Sequence, residues 1–360
     1  MELSEYTNIP QFSITKPEKR KHLTNFLNSL HVHHFKNNKE YAKVSRQIFN
    51  KDEKSFIDRL EDIPFLPASI FKNHYLSSVS EKDVFKVLTS SGTTGTVPSK
   101  VVLDKETAQL QTLTLSKILT TVLGNERLPM LIVDSQSVLK DRASFSARGA
   151  GILGISIFGK NHQYILDDNY ELNEELLLEF LEKFNGKKML IFGFTFMVWQ
   201  YLYEKAGNKK IDLSNAILIH SGGWKKLQEM AVDNQTFRQK LLERFGLKQI
   251  YNFYGMIEQV GSVFLENTEG YLHCPNFSDI IIRNPYDFSV QPHGKEGLIQ
   301  VLSVLPKSYP GHSLLTEDIG VCLGDDDSKS GWKGKYFKII GRAKKAELRG
   351  CSDTFAQSKQ

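Results

Sequence analysis

Between residues 89 and 100 the chain reads Thr-Ser-Ser-Gly-Thr-Thr-Gly-Thr-Val-Pro-Ser-Lys, a concentration of groups that bind anions. Gly92 and Gly95 let the backbone bend and turn its N–H groups toward one point. The hydroxyls of Ser90, Ser91, Thr93, Thr94 and Thr96 can donate to phosphate oxygens, and Lys100 adds a cation. An apolar run, Val84–Leu88, precedes the segment and another, Lys100–Leu103, follows it. A flexible Ser/Gly linker would separate domains; a loop set between two short strands is a common phosphate cradle. It is not of the Walker type, because no Gly-Lys-Ser/Thr triplet is present.

Four later segments carry complementary chemistry. His220-Ser-Gly-Gly-Trp-Lys225 places Gly222 and Gly223 just after an apolar run. Tyr254-Gly-Met-Ile-Glu258 offers a flat aromatic face, a flexible Gly255 and a carboxylate. Thr316-Glu-Asp-Ile-Gly320 offers Asp318, and Gly341-Arg-Ala-Lys344 offers two cations. Singly these are a core tyrosine, a surface glutamate, a turn aspartate and a solvated basic stretch. In this order, behind the Ser/Thr/Gly loop, they resemble the landmarks of the acyl-adenylate-forming superfamily.

That resemblance covers about residues 60–352. It implies ATP and Mg2+ as cofactors, with the 90–96 loop and Lys100 on the phosphates and Thr94 among the catalytic groups. It puts Gly222 and Gly223 beside the adenine, Tyr254 packed on it with Gly255 following, and Glu258 holding the metal. It also puts Asp318 on the ribose hydroxyls, Arg342 near the ribose and Lys344 at a hinge. Phe194 and Phe196 follow a strand where the superfamily lines its acyl pocket, together with Gly223. Ile257 departs from the pattern, since a hydroxyl usually precedes the glutamate.

Superfamily members ordinarily continue for about a hundred residues past the hinge, into a small domain bearing a catalytic lysine. Here only Lys345–Gln360 follows Lys344. That tail holds Glu347-Leu-Arg-Gly-Cys351-Ser. With Ser146-Ala-Arg-Gly149 and Leu66-Pro-Ala-Ser-Ile-Phe-Lys72, it is similar to the acyl-protein synthetase (LuxE-type) family. The family implies that Cys351 takes the acyl group from the adenylate as a thioester. A thiolate suits that task, and Arg349, Lys344 and Lys345 would favour it if they point inward. Cys274 and Cys322 read as inert. His220 and Arg148 are lesser candidates for orienting a carboxylate or phosphate.

The resemblance thus implies a ligase that converts a carboxylic acid, expected to be a fatty acid, to acyl-AMP and then acylates its own cysteine. An acyl-accepting reductase or acyltransferase protein would collect the group. Two rivals stay open: an acyl- or aryl-CoA ligase, and a degenerate nucleotide-binding module.

The elements that must hold these residues are legible in part. Residues 1–60 look helical, with Leu23, Phe26, Leu27 and Leu30 on one face from Pro17 to His34. Thr107–Leu123, Glu174–Phe184 and Gln235–Phe245 read as helices; Met130–Val133, Lys188–Phe192 and Ala216–Ile219 read as buried strands. Their alternation predicts an α/β fold with mostly parallel sheets flanked by helices. Past residue 260, short strands such as Asp279–Ile282 and Gly297–Val301 predict a small β-rich subdomain. The expected organisation is a helical segment 1–60, an adenylation core 61–260, the β-rich part 261–340, and a hinge with a truncated tail 341–360.

Bulk properties fit an ordinary globular protein of 360 residues, 40% hydrophobic and 24% charged. A net charge of +5 is too mild to argue for nucleic acid. It is nonetheless concentrated: Gly331–Gln360 has eight basic residues against two acidic ones. The cysteines lack zinc or disulfide spacing. No basic-then-apolar leader is visible, and the apolar run Met189–Tyr203 falls short of the roughly 20 residues of a membrane span. The expected location is the cytoplasm.

Overall fold

The computed structural model describes residues 2–90, 97–139, 147–206, 210–224 and 231–343. The chain begins with α1 (Leu3–Asn8), α2 (Lys16–Asn37), α3 (Lys39–Phe49), β1 (Leu66–Pro67) and α4 (Ile70–Asn73). The hairpin β2 (Lys86–Thr89) and β3 (Lys100–Leu103) follows, then α5 (Lys105–Leu123), β4 (Leu128–Ser135), α6 (Ala147–Ser156) and β5 (Gly159–Leu166). Next come α7 (Glu174–Lys183), β6 (Met189–Phe194), α8 (Thr195–Met197), β7 (Ala216–Ser221), α9 (Asn234–Phe245) and β8 (Gln249–Tyr254). The remaining strands are β9 (Phe264–Glu266), β10 (Leu272–His273), β11 (Ser278–Arg283), β12 (Glu296–Ser303), β13 (Ser313–Asp325) and β14 (Lys335–Arg342).

These elements form two compact units. One takes the chain up to Ile118, Gly255–Phe264 and the residues from Tyr271 on; the other takes Leu119–Tyr254 and Leu265–Gly270.

The second unit is the α/β part. Its strands lie in the order β5-β4-β6-β7-β8, all parallel. Such strands are covered on both faces, which is why they read as continuous apolar runs. Every residue of β4 is buried, as are the first five of β6 and of β7. Leu131, Val133, Ile191 and Leu218 pack with Leu177 and Phe180 of α7 and Leu241 and Phe245 of α9 in one core. The helices stop and start on local signals. Asn173 accepts the N–H of Leu176 at the start of α7, and Asp233 accepts that of Thr236 at the start of α9. Gly246, at φ +70°, ends α9 in the left-handed conformation. The apolar run at 189–203 divides into β6, α8 and a π-helical segment, Val198–Glu204. No helix among the described residues is long and apolar enough to cross a membrane.

In the first unit, β11-β12-β13-β14-β10 pair antiparallel, and β1 adds in parallel to β13. α2 buries Leu23, Leu27, Leu30, His31, His34 and Phe35, a spacing that keeps one face inward. Asn38 ends α2 and starts α3, its side chain accepting the N–H of Tyr41. Asn50, at φ +53°, closes α3.

Candidate active site

In the second unit the strand order reverses at β4: β5 lies on one side, and β6 and its successors on the other. Open parallel sheets bind ligands outside the carboxyl ends of the strands at such a reversal. Phe194 ends β6 there, half-buried, with Phe196 half-buried just beyond. Phe194 is in register with Ser221 at the end of β7, and Ser221 with Phe253 of β8.

The turn after β7 is fixed by a small polar lock. The Thr195 hydroxyl donates to the Gly222 carbonyl at 2.6 Å, so it accepts from His220 Nδ1, 2.9 Å away. That leaves His220 Nε2 bare and buried with no partner. Burial, helped by the positive charge of Arg238, pushes the His220 pKa down to about 3. His220 is therefore a neutral pin for the glycine turn, and not a cation for phosphate. Gly222 sits at φ +79°, where side chains are strained, and a Cβ on it would meet the Phe194 ring at 3.1 Å. Gly223 has nothing within 4 Å of its Cβ direction. The Phe194 ring also lies 3.2 Å from the Cβ direction of Gly151 on α6.

Arg148 of α6 lies near the end of β4. Its Nε is 3.0 Å from Asp134 Oδ2, and its guanidinium donates to the Tyr170 hydroxyl while lying 5.2 Å from that ring. Burial pushes the Asp134 carboxyl up, and Arg148 only partly offsets it. Arg148 is thus engaged by a buried carboxylate and a tyrosine. Tyr254, half-buried, ends β8.

In the first unit, Ser90 and Ser99 close the base of the 91–98 segment. The Ser90 N–H donates to the Ser99 carbonyl at 3.0 Å, and the Ser99 N–H donates to Ser90 Oγ at 2.8 Å. Ser99 Oγ is buried without a partner. Lys100 is exposed at the first position of β3, in register with Thr89. Gly255 leads into a 3₁₀ turn, Ile257–Gln259, which carries a half-buried Glu258.

Asp318 and Arg342, 24 residues apart, face each other across β13 and β14. Arg342 Nε donates to Asp318 Oδ1 at 3.2 Å, with the carboxylate side chain 15% exposed and the arginine 75%. A register shift next to them, between Ile319 and Gly320, interrupts the ladder, which resumes at Gly320 and Ile339. The Asp318 N–H is held by Thr316 Oγ1, which itself donates to the Ile299 carbonyl.

Ser91, Gly92, Thr93, Thr94, Gly95, Thr96, Lys344 and Cys351 lie outside the described residues. Cys274 and Cys322 are both buried. Burial raises the Cys274 thiol far above its usual range and the Cys322 thiol to about 11, so neither forms a thiolate near neutrality. Thr195, Tyr309 and Gln259, which support these segments, went unread in the sequence. Thr195 alone left a trace, as a hydroxyl directly after an apolar strand.

The chain resembles known proteins over nearly its whole length. It is 25% identical over 365 residues to the long-chain-fatty-acid–luciferin-component ligase of Vibrio harveyi, covering 95% of this chain and 89% of that one. The protein of the same name from Aliivibrio fischeri is 23% identical over 348 residues, covering 90% and 85%. Among solved structures, 2-hydroxyisobutyryl-CoA ligase in an open conformation with its acyl-AMP and CoA superposes with a TM-score of 0.66 at 15% identity, covering 92% of this chain and 76% of that one. The same ligase in its thioesterification state gives 0.67, covering 92% and 70%. The fold is therefore that of adenylate-forming ligases. The family pattern for acyl-protein synthetase, LuxE, runs from residue 8 to residue 359, and on that full-length match this chain belongs to the acyl-protein synthetase (LuxE) family of ligases.

Proposed function

We propose that this protein activates a long-chain fatty acid with ATP to the acyl-adenylate and then takes the acyl group onto Cys351 as a thioester. The reading rests on the family match across residues 8–359, which takes in both the 89–100 loop and the tail bearing Cys351.

In this reading residues 61–260 form the adenylation core, with 341–360 as hinge and tail. The substrate carboxylate attacks the α-phosphate and pyrophosphate leaves. The Ser/Thr/Gly loop and Lys100 hold the phosphates, Tyr254 and the Gly222–Gly223 turn flank the base, and Asp318 with Arg342 meets the ribose. Catalysis is mostly positioning and charge neutralisation. The donor set suits Mg2+. Among the described residues no cluster of three or more His, Cys, Asp or Glu could cage a metal. Mg2+ usually takes one or two carboxylates and completes its shell with phosphate oxygens and water. Glu258 is the carboxylate that would hold it, and the metal would neutralise the charge developing on the phosphates. Phe194 and Phe196, at the carboxyl end of β6, would border the acyl chain. An acyl-accepting reductase or acyltransferase would take the group from Cys351 in the cytoplasm.

The test is a labelled long-chain acid given with Mg·ATP. The wild type should carry the label through a bond that neutral hydroxylamine cleaves. Cys351→Ser should lose the label while keeping most pyrophosphate release. A Ser variant labelled as well as wild type, or a label on Cys274 or Cys322, would move the coenzyme A ligase reading to the front.

A further inference from the structure

The N-terminal helices have no part in the reaction described so far, yet they hold the segment next to Glu258. Two features fix the turn that carries Glu258. The N–H of Val260 donates to the Tyr309 hydroxyl at 2.9 Å. Gln259 Nε2 donates to the carbonyls of Val301 and Gly311, each at 3.2 Å. Both side chains are buried. Gly311 lies directly under the turn: a Cβ there would come within 2.8 Å of the Glu258 carbonyl and collide with the Tyr309 ring.

Tyr309 and Gly311 belong to a loop, 306–312, that is clamped from the other side by α2 and α3. Carbonyls only accept, so His34 Nε2–H donates to the Pro306 carbonyl at 3.0 Å, and His34 Nδ1 accepts from the Ser78 hydroxyl at 2.8 Å. The Lys307 carbonyl likewise accepts from His33 Nε2 at 3.0 Å. His31 Nε2 donates to the Asp52 carbonyl, so its Nδ1 accepts from the Tyr41 hydroxyl at 2.8 Å. Tyr41 then accepts from His312 Nε2 at 3.2 Å. The His34 and His312 rings stack with centroids 4.8 Å apart. One continuous set of buried contacts therefore runs from α2 and α3 through the 306–312 loop to the Glu258 turn.

We infer that Tyr309, Gln259 and the His31–Tyr41–His312 chain are positioning residues for Glu258, and that the N-terminal helix pair sets where this carboxylate meets a divalent cation. The inference rests on Glu258 being the metal-binding carboxylate. None of these side chains needs to touch substrate; they act by fixing a turn.

The experiment measures the gain in ATP affinity on adding Mn2+, by calorimetry on the full-length protein, with the EPR signal of bound Mn2+ as a second readout. Glu258→Gln should abolish the gain. Tyr309→Phe keeps the ring but leaves the Val260 N–H unpaired, and should reduce the gain roughly ten-fold. Tyr41→Phe breaks the chain at its middle member and should reduce the gain in the same direction; it carries the test should Tyr309→Phe fold poorly. Asn173→Ala removes a helix cap in the other unit. It should lower the melting temperature while leaving the Mn2+ gain at the wild-type value, because a merely structural defect does not select the metal. If both tyrosine variants behave like Asn173→Ala while Glu258→Gln loses the gain, the positioning inference is wrong and the metal reading stands. If Glu258→Gln also keeps the gain, both are wrong.

Discussion

At the residue scale, the contact between Asp318 and Arg342 separates stability from function. The arginine is mostly exposed, and an exposed ion pair adds only about 0–1 kcal/mol. Asp318→Asn should therefore leave the melting temperature nearly unchanged. If Asp318 grips the ribose, the same change should raise the KM for ATP by about ten-fold, since a lost hydrogen bond to a charged group is worth about 1.5–3 kcal/mol. Pyrophosphate release across a range of ATP concentrations checks this, and an unchanged KM would remove Asp318 from the nucleotide site. Gly222 behaves in the opposite way. At φ +79° an added Cβ costs about 1–2 kcal/mol in backbone strain, and it would press on Phe194. Gly222→Ala should lower stability by about that amount in denaturant unfolding. It should also shift acid preference toward shorter chains, because the displaced ring borders the proposed acyl site. Wild-type selectivity in that variant would separate Phe194 from the acyl chain.

At the element scale, buried histidines tie helices and strands together while uncharged. Burial is the largest cause in each case: His34 and His220 are pushed down to about 3, His273 to about 4, and His312 well below its usual value. The unfolded chain takes up these protons near pH 6.5, so between that value and about 4 it binds more protons than the folded one. Stability is then complete above about pH 6.5 and falls with pH, by about 1.4 kcal/mol per unit for each histidine. Carboxylates contribute lower down. Arg20 holds Glu61 at about 2, so the stability from that pair is lost only as pH drops below the ordinary glutamate range. Melting temperature against pH should therefore decline from about pH 6.5. His34→Gln should reduce the slope in the 6.5–4 window whatever it does to the stability at neutral pH. An identical slope in that variant would mean that His34 is protonated in the folded protein.

At the scale of the whole molecule, the decisive measurement is which products ATP yields. A carboxylic acid, ATP and Mg2+ should give AMP and pyrophosphate, with long aliphatic acids preferred over acetate. Production of ADP and phosphate would overturn the adenylate chemistry, and a preference for acetate or a charged acid would overturn the proposed substrate class.

The sequence by itself determined whatever depends on near neighbours. The hydroxyls and glycines of 89–96 are consecutive, so their chemistry needed no fold to be seen. β4, β6 and β7 announced themselves because strands buried on both faces must be apolar throughout. Helices α7 and α9 were legible to within a residue because Asn173, Asp233 and Gly246 act on groups only a few positions away. Tertiary structure decided the rest. β5 could not be read because its exposed Lys160, Asn161 and His162 break the apolar pattern, and only pairing with β4 makes it a strand. Asp318 meets Arg342 only through the register of β13 on β14, a long-range choice made by packing. His34 reaches Pro306 and His312, and Tyr41 reaches His312, across more than 270 residues. In the sequence these are scattered polar residues. They acquire a role only where burial denies them water, so that each donor and acceptor must find its partner inside the protein.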